Sequence, residues 1–327
     1  MLVSDDTGVA SQRATANTTM PHLTANGINI AYETAGDPKG TPMLLVMGLG
    51  LQLIAWPDDF VDGLVEQGFY VIRFDNRDCG LSTKFKQAGT PNLALAMLNT
   101  HLRLPVRSAY TLDDMAADAL GVLNALGVAR AHVVGMSMGG MIAQILTARH
   151  PDRVLSLTSI MATSGRRGLP WPTPAASAAL MRRPPEAHDV ELLINHMAGV
   201  FRAIGSQAYP AHDEQLRTRL LAAVRRDVCG AGVARQLTAI VASGDRCKLL
   251  KGIERPTLVI HGAADPVFPL ACGIDTARLV PGARLEVIEG MGHDLPAQLI
   301  ERLLALIDAH ARGKMAPDTL PHLFEKQ

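Results

Sequence analysis

Cysteine is scarce in this chain, and the little there is does not cluster. Cys79, Cys229, Cys247 and Cys272 form no C-x-x-C pair, and no Cys/His group has the spacing of a zinc site. Four thiols in 327 residues do not make a disulfide framework, so they read as isolated free or buried cysteines, with no metal expected. Net charge is also lacking: 31 Lys plus Arg stand against 31 Asp plus Glu. Nucleic acid is therefore not an expected partner, because phosphate binding needs clustered positive charge. No uninterrupted apolar run reaches the roughly 18 residues of a membrane span. The segment from Met1 to Pro21, rich in Ser, Thr, Ala and Asp, has neither the positive start nor the apolar stretch of a signal peptide. Residues 1–20 read as a flexible leader, with Met20 an alternative start, and residues 314–327 as a loosely held tail. The cytoplasm is the expected compartment. No internal repeat or low-complexity tract is present.

Core-forming material is plentiful. Hydrophobic residues make up 48% and charged residues 19%, which excludes disorder as the main state. The length suits one large α/β domain with an insertion. His22 to Ala35 alternates weakly, with Gly27 and Gly36 as turn signals, and predicts an opening hairpin. Short apolar runs at Met43–Met47, Tyr70–Phe74, His132–Val134, Val154–Ile160, Thr257–Ile260 and Leu285–Ile288 predict strands covered on both faces. Between them lie helical patterns: Phe60 to Val65, stopped by Gly68; Leu112 to Leu126; Met138 to Ala148; Leu270 to Leu279; and Leu295 to Ala309. Strands alternating with helices mean a mostly parallel sheet with helices on both faces.

After Thr163 the period changes. Val190, Leu193, Ile194, Met197, Val200, Phe201 and Ile204 form one helical stripe, and Leu216, Leu220, Leu221 and Val224 another. Pro170, Pro172, Pro174, Pro184 and Pro185 mark an irregular entry. Residues 164–247 therefore read as a helical cap between core segments 21–163 and 248–313, placed over the ligand crevice at the strands' carboxyl ends. Between Ser164 and Cys247 there are eleven arginines, no lysine and seven acids, a balance of plus four. Solvated helix faces account for that balance; attraction for an anionic substrate is the sharper alternative.

The strongest chemical signal is Gly135-Met136-Ser137-Met138-Gly139, a G-x-S-x-G motif with a strand leading in and a helix leading out. Such a turn holds a hydroxyl out at the top of the sheet, beside a helix N-terminus that favours negative charge. A serine is a poor nucleophile until a base takes its proton. In this arrangement an acid and then a histidine should follow, each after a late strand. Asp265 follows Thr257–Ile260, and His293 follows Leu285–Ile288. Asp294, read as a helix cap, and His261, read as a packed core residue, are the competitors. An oxyanion hole needs two backbone N–H groups. Met138, after the serine, and Leu49, in the loop Met47-Gly48-Leu49-Gly50, are the candidates. Met136 and Trp56 are expected to line the pocket.

Gly48-Leu49-Gly50 followed by Asp75 also suggests a dinucleotide site, but position 53 is Leu where a third glycine belongs. No cofactor is expected. The polar segment Asp75 to Ser82 reads as a hydrogen-bonded turn bracing its neighbours.

These motifs together resemble the α/β-hydrolase fold serine hydrolases, from about His22 to Ala311. Within that group the chain resembles bacterial esterases related to aclacinomycin methylesterase. The carriers are Leu44-Leu45-Val46-Met47-Gly48, Trp56-Pro57-Asp58, Val71 to Ser82, Gly135 to Gly139, and Gly290-Met291-Gly292-His293. The resemblance implies an eight-stranded sheet with the cap inserted after the sixth strand. It also implies Ser137, Asp265 and His293 as triad and Leu49 and Met138 as oxyanion donors. Where many relatives carry His-Gly at the first oxyanion loop, this chain has Met47-Gly48, the methylesterase-like form. The expected activity is hydrolysis of small to medium carboxylic esters through an acyl-enzyme. A C–C bond hydrolase or a cofactor-free perhydrolase on the same triad, and a slow-turnover ligand receptor, are the alternatives. A homodimer is compatible with the sequence.

Overall fold

The computed structural model describes residues 20–182, 185 and 189–314. The leader up to residue 19, most of the tail and Pro184 thus lie outside the described residues. The chain opens with β1 (His22–Ala25) and β2 (Ile28–Ala35), antiparallel and joined by Asn26 and Gly27. Both turn residues have positive φ, 49° and 76°, the mirror-image turn that matches strand twist in a two-residue hairpin. Then come β3 (Thr41–Val46), β4 (Phe69–Phe74), β5 (Ala131–Met136), β6 (Val154–Ile160), β7 (Thr257–Gly262) and β8 (Arg284–Ile288). The eight strands run in the order β1-β2-β4-β3-β5-β6-β7-β8. Only the β1–β2 and β2–β4 pairs are antiparallel.

The helices are α1 (Asp58–Glu66), α2 (Leu93–His101), α3 (Leu112–Ala125), α4 (Met138–Arg149), α5 (Pro174–Met181), α6 (Val190–Ile204), α7 (Asp213–Arg226), α8 (Gly230–Ser243), α9 (Cys247–Leu250), α10 (Leu270–Leu279) and α11 (Ile300–Ala311). Strand periodicity sorts the core into two layers. Leu44 and Val46 of β3 face Leu112, Met115, Met141 and Ile145 of α3 and α4. Met43 and Leu45 face Phe60 and Leu64 of α1 and Leu303 and Ile307 of α11. Each layer is made of buried apolar side chains, so the sheet is held from both sides by apolar burial.

Three departures from the sequence pattern have local causes. The last helix starts at Ile300 rather than Leu295, after Pro296 and a single tight turn over Ala297–Leu299. Helix α2 carries leucines on several sides, and Leu95 and Leu98 are exposed, so it shows no apolar stripe. Asn92 nevertheless caps it, accepting the Leu95 N–H at 3.0 Å. Helix α5 starts from Pro174 inside the proline-rich entry, with the Thr173 side chain accepting the Ala176 N–H.

Helices α5 to α9 lie between β6 and β7. Their arginines divide. Arg202 and Arg217 make exposed pairs with Asp213 and Glu191, as solvated faces should. Arg226, Arg235 and Arg246 are instead turned inward. Arg246 draws the two ends of the insertion together, donating to the Thr163 carbonyl at 2.7 Å and, through its own N–H, to Ser164 at 2.9 Å. Burial pushes its guanidinium down to about 10. Arg226 pairs with Asp75 at 2.6 Å. Arg235 grips both oxygens of Asp78 at 2.7 Å, with both side chains buried. Burial pushes the Asp78 carboxyl up, but hydrogen bonds from Arg235, the Phe85 N–H and Tyr110 outweigh it and hold Asp78 below its ordinary value. The segment from Asp75 to Asp78 is therefore the seam on which α7 and α8 are fastened.

Removing one partner of a buried pair strands the other charge. Arg235→Met should destabilise the fold by about 3–5 kcal/mol, read as a lower midpoint in urea denaturation. A loss below about 1 kcal/mol, typical of an exposed pair, would contradict this seam.

Candidate active site

Strand β5 ends at Met136 and helix α4 begins at Met138, leaving Ser137 alone on the turn between them. Its backbone sits at φ 55° and ψ −120°, a conformation that side-chain-bearing residues avoid. Two glycines permit it. A Cβ on Gly135 would overlap the Gly139 carbonyl, and one on Gly139 would overlap the Val46 carbonyl of β3. The Ser137 N–H donates to Ile160 of β6 at 2.9 Å, and its carbonyl accepts the Met141 N–H at 3.1 Å. The elbow is thus wedged between the two neighbouring strands, with the positive end of α4 directly beside the hydroxyl.

The other two candidates converge on it. Asp265 lies three residues past β7 in a tight turn, where its Oδ1 accepts the N–H groups of Val267 at 2.8 Å and Phe268 at 2.9 Å. These bonds aim Oδ2 at His293, whose Nδ1 lies 2.8 Å away. His293 lies five residues past β8, and its Nε2 is 2.9 Å from the Ser137 Oγ. With Nδ1–H donating to the carboxylate, Nε2 is left to accept the hydroxyl proton. The edge of the Phe268 ring meets the imidazole at 5.5 Å. The His261 ring is buried, with Nε2 2.6 Å from the Phe268 carbonyl and 3.6 Å from the Asp265 Oδ2, and burial holds it below its ordinary value.

The loop after β3 passes directly beside the serine. A Cβ on Gly48 would stand 3.3 Å from the Ser137 Cβ and 3.8 Å from its Oγ. Leu49 follows Gly48 in that loop, and Met138 opens α4 immediately after the serine. Ser137 and His293 open into a cavity of about 2090 Å³ between the sheet and the insertion. Met136, Leu49, Leu193, Met197, Phe201 and Val233 are among its apolar lining. Trp56 does not line it, contrary to expectation. The side chain is 1% exposed and stacks on Phe60 at 5.3 Å, because it turns into the α1 layer while Ala55 and Pro57 face the cavity. Nor is Asp75 free for a ribose: its oxygens accept the N–H groups of Leu53 at 2.7 Å and Leu81 at 2.8 Å, besides the Arg226 pair. Among the described residues no cluster of three or more His, Cys, Asp or Glu could hold a metal ion, and no helix is long and apolar enough to cross a membrane.

The histidine loop is strapped to the end of α6. The His293 N–H donates to the Ile204 carbonyl at 2.8 Å, and the Gly292 N–H donates to the Ser206 Oγ at 2.7 Å. Ser206 in turn donates its hydroxyl at 2.5 Å and its backbone N–H at 3.0 Å to Asp294. Asp294 therefore caps no helix. It is spent on Ser206, and burial, opposed by those hydrogen bonds, raises its carboxyl above the ordinary value. Sequence pattern offers no signal for Ser206, a lone serine after a helix.

Residues 41–297 match the family described as alpha/beta hydrolase fold. Rhodomycin D methylesterase DauP of Streptomyces sp. (strain C5) is 32% identical over 309 residues, covering 89% of this chain and 97% of that protein. A 2-hydroxymuconate semialdehyde hydrolase of Pseudomonas putida is 27% identical over 223 residues, covering 63% of this chain and 73% of that protein. A meta-cleavage product hydrolase from Pseudomonas fluorescens superposes with a TM-score of 0.70 at 21% identity, over 90% of this chain and 98% of that one, a likeness of fold.

Ser206→Ala removes both the acceptor for Gly292 and the hydroxyl donor to Asp294. It should lower stability by about 1–3 kcal/mol and speed amide exchange at Gly292 and His293 more than at Gly50. Unchanged exchange in the histidine loop would show that the strap is not what holds it.

Proposed function

The chain belongs to the α/β hydrolase fold family, and from that premise we propose that it is a serine hydrolase cleaving carboxylic esters through an acyl-enzyme. The observation that carries this reading is the unbroken relay from Ser137 to His293 at 2.9 Å and on to Asp265 at 2.8 Å, opening into the cavity. The substrate carbonyl lies over the Ser137 hydroxyl. His293 Nε2 takes the hydroxyl proton as Oγ attacks the carbonyl carbon, and the tetrahedral oxyanion forms. The N–H groups of Leu49 and Met138 receive that charge, reinforced by the α4 dipole. His293 then gives its proton to the departing alkoxide, and the alcohol leaves. Water, deprotonated by the same nitrogen, attacks the acyl carbon; the second tetrahedral state then breaks its bond to Oγ, His293 returns the proton to Ser137, and the acid leaves. Asp265 holds the ring in the productive tautomer and stabilises its charged form.

A small alcohol on a bulky, largely apolar acyl group suits this site. The cavity, at about 2090 Å³, exceeds the roughly 300–1,000 Å³ of ordinary small-molecule pockets. The relative named as a rhodomycin D methylesterase supports the same division. A C–C bond hydrolase on the same triad is the second reading, favoured by the relative named as a 2-hydroxymuconate semialdehyde hydrolase.

Ser137→Ala should lower kcat on p-nitrophenyl and methyl esters by roughly three or more orders of magnitude, with the fold intact by circular dichroism. Near-parental turnover by that variant would refute the assignment. In a panel of methyl esters and meta-cleavage diketones, the esters should dominate in kcat/KM; preference for the diketones would select the second reading.

A further inference from the structure

Helix α8 sends one wholly buried amide into the wall of the site. Gln236 Oε1 accepts the Gly50 N–H at 2.8 Å, and its Nε2 donates to the Arg77 carbonyl at 2.7 Å. Both ends of the side chain are thus spent, one on the loop after β3 and the other on the loop after β4. Gly50 has φ +67°, and Val233, also on α8, stands where its side chain would be, 2.8 Å from a Cβ built there. On the other side of Leu49, the core holds the loop: Asn76 Nδ2 donates to the Met47 carbonyl at 2.9 Å. Between these two anchors lie Gly48 and Leu49, in a turn closed only by the long Leu51 N–H to Gly48 carbonyl bond at 3.3 Å and carrying two glycines, so its peptide planes depend on the anchors for their direction.

An oxyanion donor works only when its N–H points at the place where charge develops, and a hydrogen bond weakens steeply as its angle falls. We propose that Gln236 is a positioning residue for the oxyanion hole: by holding Gly50 it fixes the direction of the Leu49 N–H. The inference rests on the serine-hydrolase reading and adds that the insertion is part of the catalytic frame. Val233, Ala234 and Leu237 line the cavity from α8, whereas Gln236 points away from it into the seam. Substrate binding should therefore be nearly indifferent to Gln236, and stabilisation of the tetrahedral state sensitive to it. Acylation and deacylation both pass through an oxyanion, so the effect reaches kcat whichever step limits turnover.

The experiment compares Gln236→Met and Gln236→Asn with the parent, counting competent sites by fluorophosphonate titration of Ser137. The methionine has the length but neither hydrogen bond; the asparagine keeps polarity but is a methylene too short to span both partners. Per titrated site, kcat should fall roughly 10–100-fold with KM within about twofold. The Ki of a trifluoromethyl ketone, which forms an oxyanion on Ser137, should rise by the same factor as kcat/KM falls. Thr238→Val, on the same helix, where the hydroxyl donates to the Ala234 carbonyl at 2.8 Å, should leave both unchanged. If the methionine variant does not fold, the asparagine variant carries the same test. Parental kcat and Ki per titrated site would overturn the inference, as would a loss of kcat with unchanged Ki. A Ser137 that takes no fluorophosphonate, together with an active Ser137→Ala, would instead overturn the serine-hydrolase reading beneath it.

Discussion

A serine with side chain outward at positive φ is an unfavourable object, and the core of this protein is arranged to keep it. Ser137 is pinned by the Ile160 carbonyl on one side and by α4 on the other, and Gly135 and Gly139 leave room for the backbone to cross. Strain of this kind, of order 1–3 kcal/mol, persists only where the surroundings over-determine it. Here they do: β3, β5 and β6 are adjacent in the sheet and buried on both faces. The stiffness of the sheet is what aims the hydroxyl at His293.

Around that fixed point the site is assembled from loops, and loops need external support. Three sources supply it. Asp265 is locked by two backbone N–H groups of its own turn. The histidine loop is tied to Ile204 and Ser206 at the end of α6. The loop after β3 is tied to Asn76 in the core and to Gln236 on α8. Two of the three supports thus come from the insertion, which is itself fastened by Arg226, Arg235 and Arg246. Buried ion pairs such as Asp78–Arg235 are weak evidence for stability, since desolvation offsets much of their attraction. What they provide here is a fixed register between the insertion and the sheet. An insertion so anchored is a poor candidate for a lid that swings as a rigid body.

Residues announced by local pattern were legible, and those defined by packing were not. Ser137, Asp265 and His293 each stand just past a strand that reads clearly as an apolar run, so their order and placement could be argued before any geometry. The opening hairpin was legible from its weak alternation and the turn signal at Gly27, though not the part played by Asn26. Trp56 was misread because nearness in sequence to the loop says nothing of side-chain direction; the ring turns into the α1 layer. Helix α2 was missed because leucines on several sides erase the 3.6-residue period. Gln236 and Ser206 were beyond reach: an amide on a helix or a hydroxyl just past one reads as solvated, and only tertiary contact makes it buried and bonded. The arginine excess of the insertion was half understood, since three of the arginines face inward to the core.

The central claim is that His293 and Asp265 make the Ser137 hydroxyl, and no other, the reacting nucleophile. Mass spectrometry of the protein after treatment with a fluorophosphonate tests it most directly. The account predicts one adduct per chain, on the peptide carrying Ser137, with esterase activity lost in proportion to labelling. An adduct on another residue with Ser137 unmodified, or full activity in quantitatively labelled protein, would contradict it.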